Sequence, residues 1–341
     1  MPATVLVGGQ FGSEGKGKVA AFIAPEFAVA VRTGGANAGH TVVIRNRKFV
    51  FRHLPCAVVH RECLVAIGAG AIIDVQVLLK EIQEWALRPG RLMIDPQAVI
   101  VQSRHAMAEL QIVERISSTG KGVGAALAEK VMRDAAVVLA RDVDALKLWV
   151  QPVAPVLHDA LRARRAVLLE GTQGTGLSLH HGAYPYVTSR DITAGTLCGE
   201  AGIGPTAVAE VILVVRTYPI RVGGPSGPLH DEIDWKTVTR ESSSPEPIVE
   251  HTTVTGRPRR VGRFDMRAVQ AAAQLNGATQ IALTFVDYIE AGNRNIVEYE
   301  RLSKSAREFV DAVEARTQLP VTLLSTGPDT SAMIDRRLKR T

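Results

Sequence analysis

The sequence predicts an α/β fold with a large central, mostly parallel β-sheet flanked by helices. Two observations predict it: short apolar segments of strand length alternate with segments of helical periodicity, and several short segments end in glycine-rich loops. The second pattern is typical of α/β proteins, whose ligands bind at the carboxyl ends of strands. The 341 residues suffice for a large core in one or two domains. A proline- and serine-rich segment at about 223–260 is interpreted as a flexible excursion.

The strands are predicted from short apolar runs, and the helices from apolar residues that recur every three or four positions. Asp74 is a suitable N-cap for a helix whose apolar residues continue to Leu87. Asn46 and Arg47 separate two alternating segments and predict a β-hairpin. The predicted strands are residues 4–7, 27–32, 41–45, 48–53, 64–68, 91–94, 166–170, 211–220, 280–285 and 321–324. The predicted helices are residues 19–23, 74–87, 102–115, 266–275 and 304–317, with one more after residue 124.

The first glycine-rich loop covers residues 8–18 and lies between the first predicted strand and the first helix. Glycine lets backbone N–H groups approach an anion, and Lys16 and Lys18 add full positive charges. The loop is not a standard P-loop, because Gln10 stands where the first glycine is required and Gly17 replaces the magnesium-binding hydroxyl. The pattern favours a phosphate-binding site over a flexible surface turn.

Four further loops carry polar side chains where a ligand site is expected. Residues 33–41 follow a strand and include His40, which we interpret as a catalytic residue. Residues 117–124 combine hydroxyls, glycines and a lysine, which suits phosphate oxygens. Residues 170–174 end another strand. Residues 252–260 place three arginines beside threonines, which favours binding of carboxylate or phosphate over a solvated charge run.

Composition sets limits on the function. The formal net charge is +6, but basic and acidic residues are interleaved, so we expect no nucleic-acid partner. The basic run at 336–340 is interpreted as a solvated tail. No apolar run approaches the ~20 residues of a membrane span and no signal peptide opens the chain, so we expect no membrane partner and a cytoplasmic location. The three cysteines lack metal-like spacing and are interpreted as small buried residues.

Besides the anion-binding loops, the sequence contains a carboxylate suited to binding a nucleobase. Asp287 follows the predicted strand 280–285 and can accept hydrogen bonds from the edge of a base. Together these features predict an enzyme that handles two phosphorylated ligands. From about Val5 to Asp329 the chain resembles the short form of the adenylosuccinate synthetase family. The motifs that carry the resemblance are, in chain order, GSEGKGK, GGANAGHT, STGKGVG, EGTQG, HGAYPYVTS, TGRPRR and STGPD.

The resemblance implies one domain over residues 1–341, related to the P-loop nucleoside triphosphatases, and a carbon–nitrogen ligase reaction. Such an enzyme uses a nucleoside triphosphate and magnesium to phosphorylate the 6-oxygen of a purine nucleoside monophosphate. The amine of L-aspartate then displaces phosphate. His40 would act as general acid, and Lys16 and Lys18 would hold the transferring phosphoryl group. The implied catalytic residues are Ser13, Lys16, His40 and Gln173.

The resemblance also implies binding roles, residue by residue. Donor triphosphate binding is implied for Gly12, Glu14, Gly15, Lys16, Gly17, Lys18, Gly39, His40, Thr41, Arg259, Asp287, Ser325 and Gly327. Monophosphate binding is implied for Ser13, Asn37, Ala38, Thr119, Arg133, Gln173 and Thr188. Aspartate binding is implied for Val254, Thr255 and Arg257, and magnesium binding for Ser13 and Gly39. We expect a homodimer in which Arg133 reaches the neighbouring active site, because a guanidinium suits bidentate phosphate binding.

Two departures from the family pattern bear on the substrates. Ser13 stands where the family has an aspartate that takes the N1 proton. In this respect the chain is similar to a bacteriophage branch of the family that acts on deoxyguanylate, which favours dGMP over IMP as acceptor and, for a viral chain, places the enzyme in the host cytoplasm. Phe285 stands where the family has a lysine and favours ATP or dATP as donor, with GTP as the alternative. The other hypotheses are an ordinary adenylosuccinate synthetase and a nucleotide sensor without catalysis.

Overall fold

The structure, a computed structural model, describes residues 3–251, 256 and 258–337. Its strands are β1 (Ala3–Gly8), β2 (Val29–Arg32), β3 (His40–Ile44), β4 (Arg47–Phe51), β5 (Leu64–Ile67), β6 (Ile72–Ile73), β7 (Leu92–Ile94), β8 (Val99–Ile100), β9 (Val167–Glu170), β10 (Val208–Arg216), β11 (Ile220–Arg221), β12 (Glu232–Ile233), β13 (Arg260–Gly262), β14 (Gln280–Thr284), β15 (Val321–Ser325) and β16 (Met333–Asp335). Its α-helices are α1 (Lys16–Ile23), α2 (Val75–Glu84), α3 (Ser103–Ala108), α4 (Leu110–Ile116), α5 (Val123–Met132), α6 (Val153–Arg162), α7 (Ala194–Ala201), α8 (Trp235–Glu241), α9 (Met266–Asn276) and α10 (Lys304–Thr317).

The central sheet has nine strands in the order β16-β15-β14-β10-β1-β9-β2-β5-β7. Each strand is parallel to its neighbours except β16, which pairs antiparallel to β15 at one edge. The predicted α/β fold with a large, mostly parallel sheet is thereby confirmed. Because parallel strands end at the same edge, the loops that follow β1, β2, β9, β10, β14 and β15 converge there.

Both faces of the sheet are buried, and the alternation of side chains along β1 shows how. Val5 and Val7 point to one face and pack with Leu213 against α6, α7, α9 and α10. Leu6 points to the other face and packs with Ile212 beneath α1 and α2. Strands buried on both faces require continuous apolar sequences, which is why these runs were recognisable.

Smaller sheets shape the edge of the central one. The predicted hairpin is confirmed as β3 and β4, and β11, β13 and β12 form a three-stranded antiparallel sheet. The segment 223–260, interpreted as flexible, contains β12 and α8, and Asp234 caps α8 by accepting a hydrogen bond from Thr237 N. Residues 252–255 and 257 of that segment lie outside the described residues. None of the helices in the described ranges has the length and apolarity needed to cross a membrane.

Three sequence-based element assignments need correction. The strand predicted over 211–220 ends at Arg216, and Ile220 belongs to the small sheet, because Pro219 cannot continue a ladder of hydrogen bonds. The helix predicted over 102–115 is two helices that meet at Glu109. The basic run was interpreted as a solvated tail, but Arg337 pairs with Glu26 at 2.6 Å, while residues 338–341 lie outside the described part.

Candidate active site

The first glycine-rich loop closes around a carboxylate. Glu14 is fully buried, and its Oε1 accepts hydrogen bonds from Gln10 N at 3.1 Å and Gly12 N at 2.8 Å. Its Oε2 accepts from Lys16 Nζ at 2.5 Å. A Cβ on Gly8 would lie 2.7 Å from both that oxygen and that nitrogen, so only glycine fits there. The amides and the ammonium group thus converge on one anionic group, which is the arrangement that a phosphate requires.

The two lysines of this loop contact different partners. Lys16 Nζ donates to Gln173 O as well as to Glu14. Lys18 Nζ donates to Ser325 Oγ at 2.8 Å and to Gly327 O at 2.6 Å. Burial lowers the pKa of Lys18 to about 8, against the opposing charges of Asp287 and Asp329. Lys18 thus lies with Ser325 and Gly327, which the sequence analysis assigns, like Lys18 itself, to the donor.

His40, the first residue of β3, forms a buried pair with Glu170, the last residue of β9. Its Nδ1 lies 2.6 Å from Glu170 Oε1, and Glu170 Oε2 accepts from Cys56 N at 2.7 Å. Burial, reinforced by the charge of Arg32, lowers the pKa of His40 to about 4. Burial opposes ionisation of Glu170, but the hydrogen bond with His40, the charge of Arg32 and the Cys56 amide together outweigh it and lower the pKa of the carboxyl group. The pair is therefore a neutral imidazole against a carboxylate.

Sequence reasoning missed Glu170 as a functional residue, although the residue was visible as a charge at the end of an apolar strand. Arg32, the last residue of β2, is likewise a charged residue at the end of an apolar strand. Arg32 is fully buried, lies 3.6 Å from Glu170, and donates to Ala38 O at 2.8 Å and to Leu54 O at 3.0 Å. It therefore fixes the loop that carries His40. His40 Nε2 is buried and has no hydrogen-bond partner within the described part of the chain.

Helix α1 packs directly behind this pair. A Cβ on Gly17 would lie 2.9 Å from His40 Cβ and 3.0 Å from Cys56 Sγ. Glycine at this position thus lets α1 and β3 approach closely enough to bring the Lys16 and His40 loops together. The three cysteines are free and buried, as interpreted from the sequence.

Gln173 and Thr188, both assigned to the monophosphate, are brought together. Gln173 Nε2 donates to Thr188 Oγ1 at 2.9 Å, and Gln173 Oε1 accepts from Thr172 Oγ1 at 3.2 Å. Gln173 has a φ of 58°, a left-handed conformation that costs free energy for a residue with a side chain. Asn37 Oδ1 is buried and lacks a hydrogen-bond partner among the described residues. Polar groups suited to a ligand thus line this side of the site.

The loop at 117–124 is held by a carboxylate that sequence reasoning did not assign. Glu109 Oε2 accepts from Gly122 N, and its Oε1 accepts from Gly124 N, both at 2.7 Å. These bonds explain why the helix predicted over 102–115 breaks at Glu109. Thr119 is exposed in the same loop, and Arg133 is exposed at the end of α5 with a φ of 58°. The structure thus places Thr119 and Arg133 at the surface.

The residues assigned to the donor base lie at the ends of β14 and β15. Burial raises the pKa of Asp287, against the charges of Arg294 and Lys18. Ser325 is buried and Gly327 is half-buried, and Lys18 contacts both. The Arg259 amide donates to Glu250 O at 2.8 Å. Val254, Thr255 and Arg257, assigned to aspartate, lie outside the described residues.

The predicted magnesium ligands have suitable chemistry. Ser13 and Gly39 are exposed and offer a hydroxyl and a carbonyl oxygen. Mg²⁺ takes few protein ligands and completes its coordination with water and substrate phosphates, so this donor set fits the ion. When bound, the ion supplies positive charge to the phosphate oxygens. Within the described residues His40, Cys56 and Glu170 also cluster, but the hydrogen bonds of Glu170 and a thiol whose pKa burial raises do not suit magnesium.

Fold and site together define a nucleotide-binding α/β enzyme with its polar loops at the carboxyl edge of a parallel sheet. The adenylosuccinate synthetase family model matches residues 5–141 and 138–297. The adenylosuccinate synthetase of Methanocaldococcus jannaschii is 41% identical, over 99% of this chain and 97% of the relative. That of Archaeoglobus fulgidus is 39% identical over the full length of both. The chain belongs to the adenylosuccinate synthetase family.

Solved structures agree with this assignment. The fully ligated adenylosuccinate synthetase of Plasmodium falciparum superposes with a TM-score of 0.87 at 22% identity, over 99% of this chain and 100% of that chain, which shows the fold. The succinoaminodeoxyadenylate synthetase (PurZ) of cyanophage S-2L superposes with a TM-score of 0.84 at 29% identity, over 99% and 96%. The protein is thus a carbon–nitrogen ligase that joins aspartate to a purine nucleotide, in a family that uses Mg²⁺ and a nucleoside triphosphate.

Proposed function

We propose that the acceptor is dGMP and the donor is ATP or dATP, so that the product is 2-amino-2′-deoxyadenylosuccinate, made in the cytoplasm. The observation that carries this proposal is Ser13. Guanine and hypoxanthine differ only at carbon 2, where guanine has an amino group. A site selects guanine when the groups beside N1 and C2 leave room for that amino group and accept its hydrogen bond.

The loop geometry supports this role for Ser13. Its side chain is exposed, with a φ of 56°, while its backbone oxygen accepts from Arg216 Nη1 at 3.1 Å. The neighbouring acid, Glu14, is fully buried and bonded to two amides and to Lys16. Ser13 therefore offers a small hydroxyl that can accept a hydrogen bond from the amino group of guanine. An aspartate carboxylate at this position would crowd that amino group.

The cyanophage enzyme supports the same acceptor, since its structure was solved with dGMP and with dATP as an energy donor. The second candidate is an ordinary adenylosuccinate synthetase that acts on IMP. It is favoured by the archaeal synthetases, whose identity of up to 41% exceeds the 29% of the phage enzyme.

The chemistry proposed for the site follows from its hydrogen bonds. Glu170 fixes the orientation of the imidazole through Nδ1, so that Nε2 of His40 is the atom that handles a proton at the purine 6-oxygen. With a pKa of about 4, His40 is neutral at neutral pH in the free protein. The charge of a bound phosphoryl group favours the imidazolium, and Lys16 holds that group through its ammonium. Gln173 orients the purine through its amide.

The donor proposal rests on the surroundings of Asp287. Phe285 packs edge-on against Tyr288 with ring centroids 5.1 Å apart, and the Arg216 guanidinium lies 3.8 Å from the Phe285 ring. Aromatic walls beside a carboxylate suit an adenine ring, whose 6-amino group donates to an acceptor. GTP is the alternative donor, and Asp287 favours it, because guanine presents both N1–H and the 2-amino group to a carboxylate.

We further propose a homodimer in which Arg133 contributes to the neighbouring site. Helix α3 packs against α5, and Arg104 Nη2 bonds Glu129 Oε2 at 2.7 Å between them. This helix pair and the start of α4 expose apolar side chains: Met107 at 64%, Leu110 at 63%, Val131 at 67% and Met132 at 76%. Arg133 follows directly. An apolar surface beside an exposed guanidinium suits an interface that completes a phosphate site.

The decisive experiment compares kcat/KM for dGMP and IMP in the wild type and in Ser13→Asp, with L-aspartate, Mg²⁺ and dATP. We expect the wild type to prefer dGMP and the variant to shift towards IMP. A wild type that prefers IMP would contradict the proposed acceptor. A preference for dGMP that Ser13→Asp leaves unchanged would contradict the proposed role of Ser13. If no purine monophosphate supports phosphate release, the sensor hypothesis remains.

A further inference from the structure

Arg221, the last residue of β11, is a buried cation that has no assigned role in the reaction. Only 3% of its surface is exposed, and its Nε and Nη2 have no hydrogen-bond partner within the described ranges. Its neighbour across the small sheet, Arg260, is a second cation, and burial together with the charge of Arg260 lowers the pKa of Arg221 to about 10. A buried guanidinium costs free energy unless it is paired and hydrogen-bonded, so the contacts that Arg221 does make require an explanation.

Those contacts join three separate segments of the chain. The guanidinium of Arg221 lies over the ring of Phe11 in the first glycine-rich loop, 4.1 Å from the ring centroid, which is a favourable cation–π distance. Its Nη1 donates to Tyr186 O at 3.4 Å and to Ser226 O. One side chain therefore connects the first glycine-rich loop, the segment that leads to Thr188, and the turn after β11.

Phe11 is also held by the segment that follows β9. A Cβ on Gly176 would lie 2.6 Å from Phe11 Cε1, so the ring packs closely against the backbone of Gly176. The amide of Gly176 donates to Gln10 O at 2.7 Å, which holds the residue before Phe11 as well. Because Ser13 comes two residues after Phe11, the position of this ring determines where the loop presents Ser13.

The turn after β11 packs just as closely on the other segment. A Cβ on Gly227 would lie 2.5 Å from Tyr186 Cβ and 2.9 Å from Arg221 Nη1, so only glycine fits between them. Thr188 comes two residues after Tyr186 and accepts a hydrogen bond from Gln173 Nε2 at 2.9 Å. The position of Tyr186 therefore determines where Thr188 and its bond to Gln173 lie.

We propose that Arg221 is a positioning residue that sets the distance between Ser13 and Thr188 and thereby the fit of the purine monophosphate. The inference rests on the proposed function, because that function places the purine beside Ser13 and another part of the same nucleotide beside Thr188. Arg221 holds both segments at once through Phe11 and Tyr186. Its contacts do not include Ser325 or Gly327, assigned to the donor, so donor binding does not depend on it.

The test uses Arg221→Lys, which keeps the charge but loses the planar group that stacks on Phe11 while it reaches Tyr186. The Kd values of dGMP and dATP are measured by calorimetry, and the KM for dGMP is measured by phosphate release with L-aspartate and Mg²⁺. We expect the Kd and KM for dGMP to rise at least about tenfold, because a displacement of about 1 Å in a site costs up to about 10²-fold. The Kd for dATP should stay within about twofold.

Variants of Phe11 separate positioning from a general loss of packing. Phe11→Leu removes the ring beneath the guanidinium and should weaken dGMP binding as Arg221→Lys does, whereas Phe11→Tyr keeps the ring and should bind dGMP nearly as the wild type does. The double variant Arg221→Lys with Phe11→Leu should lose no more than either single variant, because both changes break the same contact. Additive losses would show that the two residues act separately and would overturn the inference.

Arg263→Lys is the matched control, because it makes the same chemical change directly after β13, where Arg263 pairs with Glu241 at 2.6 Å. We expect it to leave both Kd values unchanged. If Arg221→Lys does not fold, as judged by thermal unfolding, the Phe11 variants decide the test. A folded Arg221→Lys that binds dGMP as the wild type does, or that loses dGMP and dATP binding equally, would overturn the inference. A wild type that binds dGMP but releases no phosphate would contradict the proposed function alone, because the Kd comparison still decides the role of Arg221.

Discussion

His40 Nδ1 and Glu170 Oε1 lie 2.6 Å apart in a pair that is almost closed to solvent. Because an ionised carboxylate can only accept hydrogen bonds, Nδ1 carries the proton and Nε2 of the neutral ring carries the lone pair. Glu170 thus determines which ring nitrogen of His40 is free to take part in the reaction. Arg32 and the Cys56 amide hold the carboxylate in turn.

Glu170→Gln tests this arrangement. The amide can still accept from Nδ1 but no longer stabilises an imidazolium, so we expect kcat to fall by about 10²-fold, the usual worth of a general acid or base, with little change in KM. The control is Cys56→Ala, which changes a neighbouring side chain and leaves the Cys56 backbone bond to Glu170 in place. Equal losses in both variants would show that the effect is one of packing rather than of charge.

Buried neutral histidines make stability depend on pH. Burial, with the charge of Arg32, lowers the pKa of His40 to about 4 and that of His53 to about 3. The unfolded histidines take up protons at about pH 6.5, whereas the folded ones do not. As the pH falls from 6.5 towards 4, the free energy of unfolding therefore decreases by about 1.4 kcal/mol per pH unit for each histidine.

The measurement is denaturant unfolding at pH 7, 6 and 5. His53→Gln should reduce the slope of the free energy of unfolding against pH by about one proton. The comparison uses slopes because His53 Nε2 also accepts from Asp74 N at 3.1 Å, so the variant loses stability at every pH. Equal stability at pH 7 and pH 5 would contradict this prediction.

Two helical glycines form a matched pair for testing the close packing of the site. A Cβ on Gly17 would lie 2.9 Å from His40 Cβ, whereas a Cβ on Gly195 in α7 would meet nothing within 4 Å. We expect Gly17→Ala to lower kcat at least about tenfold and to lower the melting temperature, since His40 and α1 must separate. Gly195→Ala should raise stability by about 0.5–1 kcal/mol, because alanine favours the helix. An active and stable Gly17→Ala variant would refute the packing argument.

The sequence predicted those elements of the protein that depend on residues close together in the chain. The buried strands, the hairpin and the N-cap at Asp74 follow from short sequence patterns, and the glycine loops at strand ends indicated where ligands bind. Helix α7 was missed because its sequence, AGTLCGEA, is rich in small residues and has no clear apolar periodicity. Helix α6 was also missed, although Val153, Leu157 and Ala160 are buried at helical spacing and a proline is tolerated in the first turn.

Contacts between distant residues were not predictable from the sequence. Glu109 breaks a helix by bonding to amides 13 and 15 residues further along the chain. The resemblance implied that Glu14 binds the donor triphosphate. Nothing in the sequence shows that its carboxylate accepts hydrogen bonds from backbone amides of its own loop. A side chain that bonds to distant backbone leaves no periodic signal, so only the fold reveals such roles.

The proposed homodimer predicts two separable effects. Arg133→Ala should raise the KM for the monophosphate by about tenfold or more, the usual cost of losing a charge-assisted bond, without changing the oligomeric state. Met132→Asp, at a side chain 76% exposed, should weaken the dimer, as measured by sedimentation at several concentrations. Val297→Asp, at a side chain 52% exposed and distant in sequence, is the control. A monomeric wild type at assay concentration would contradict the proposal.

The donor preference provides the last prediction, and Phe285 is the residue that decides it. Its ring packs against Tyr288 and lies beneath the Arg216 guanidinium, so the wall beside Asp287 is aromatic. The rate of phosphate release is measured with ATP, dATP and GTP at equal concentration, with dGMP and L-aspartate saturating. We expect a faster rate with ATP or dATP than with GTP. Phe285→Lys should reduce that preference and also lower stability, because it places a second cation close to Arg216. Phe285→Leu, which keeps an apolar wall, should retain the preference and separates the loss of the ring from the gain of a charge. A wild type that uses GTP several times better than ATP and dATP would refute the proposed donor, and a preference that Phe285→Lys does not alter would show that Phe285 does not determine it.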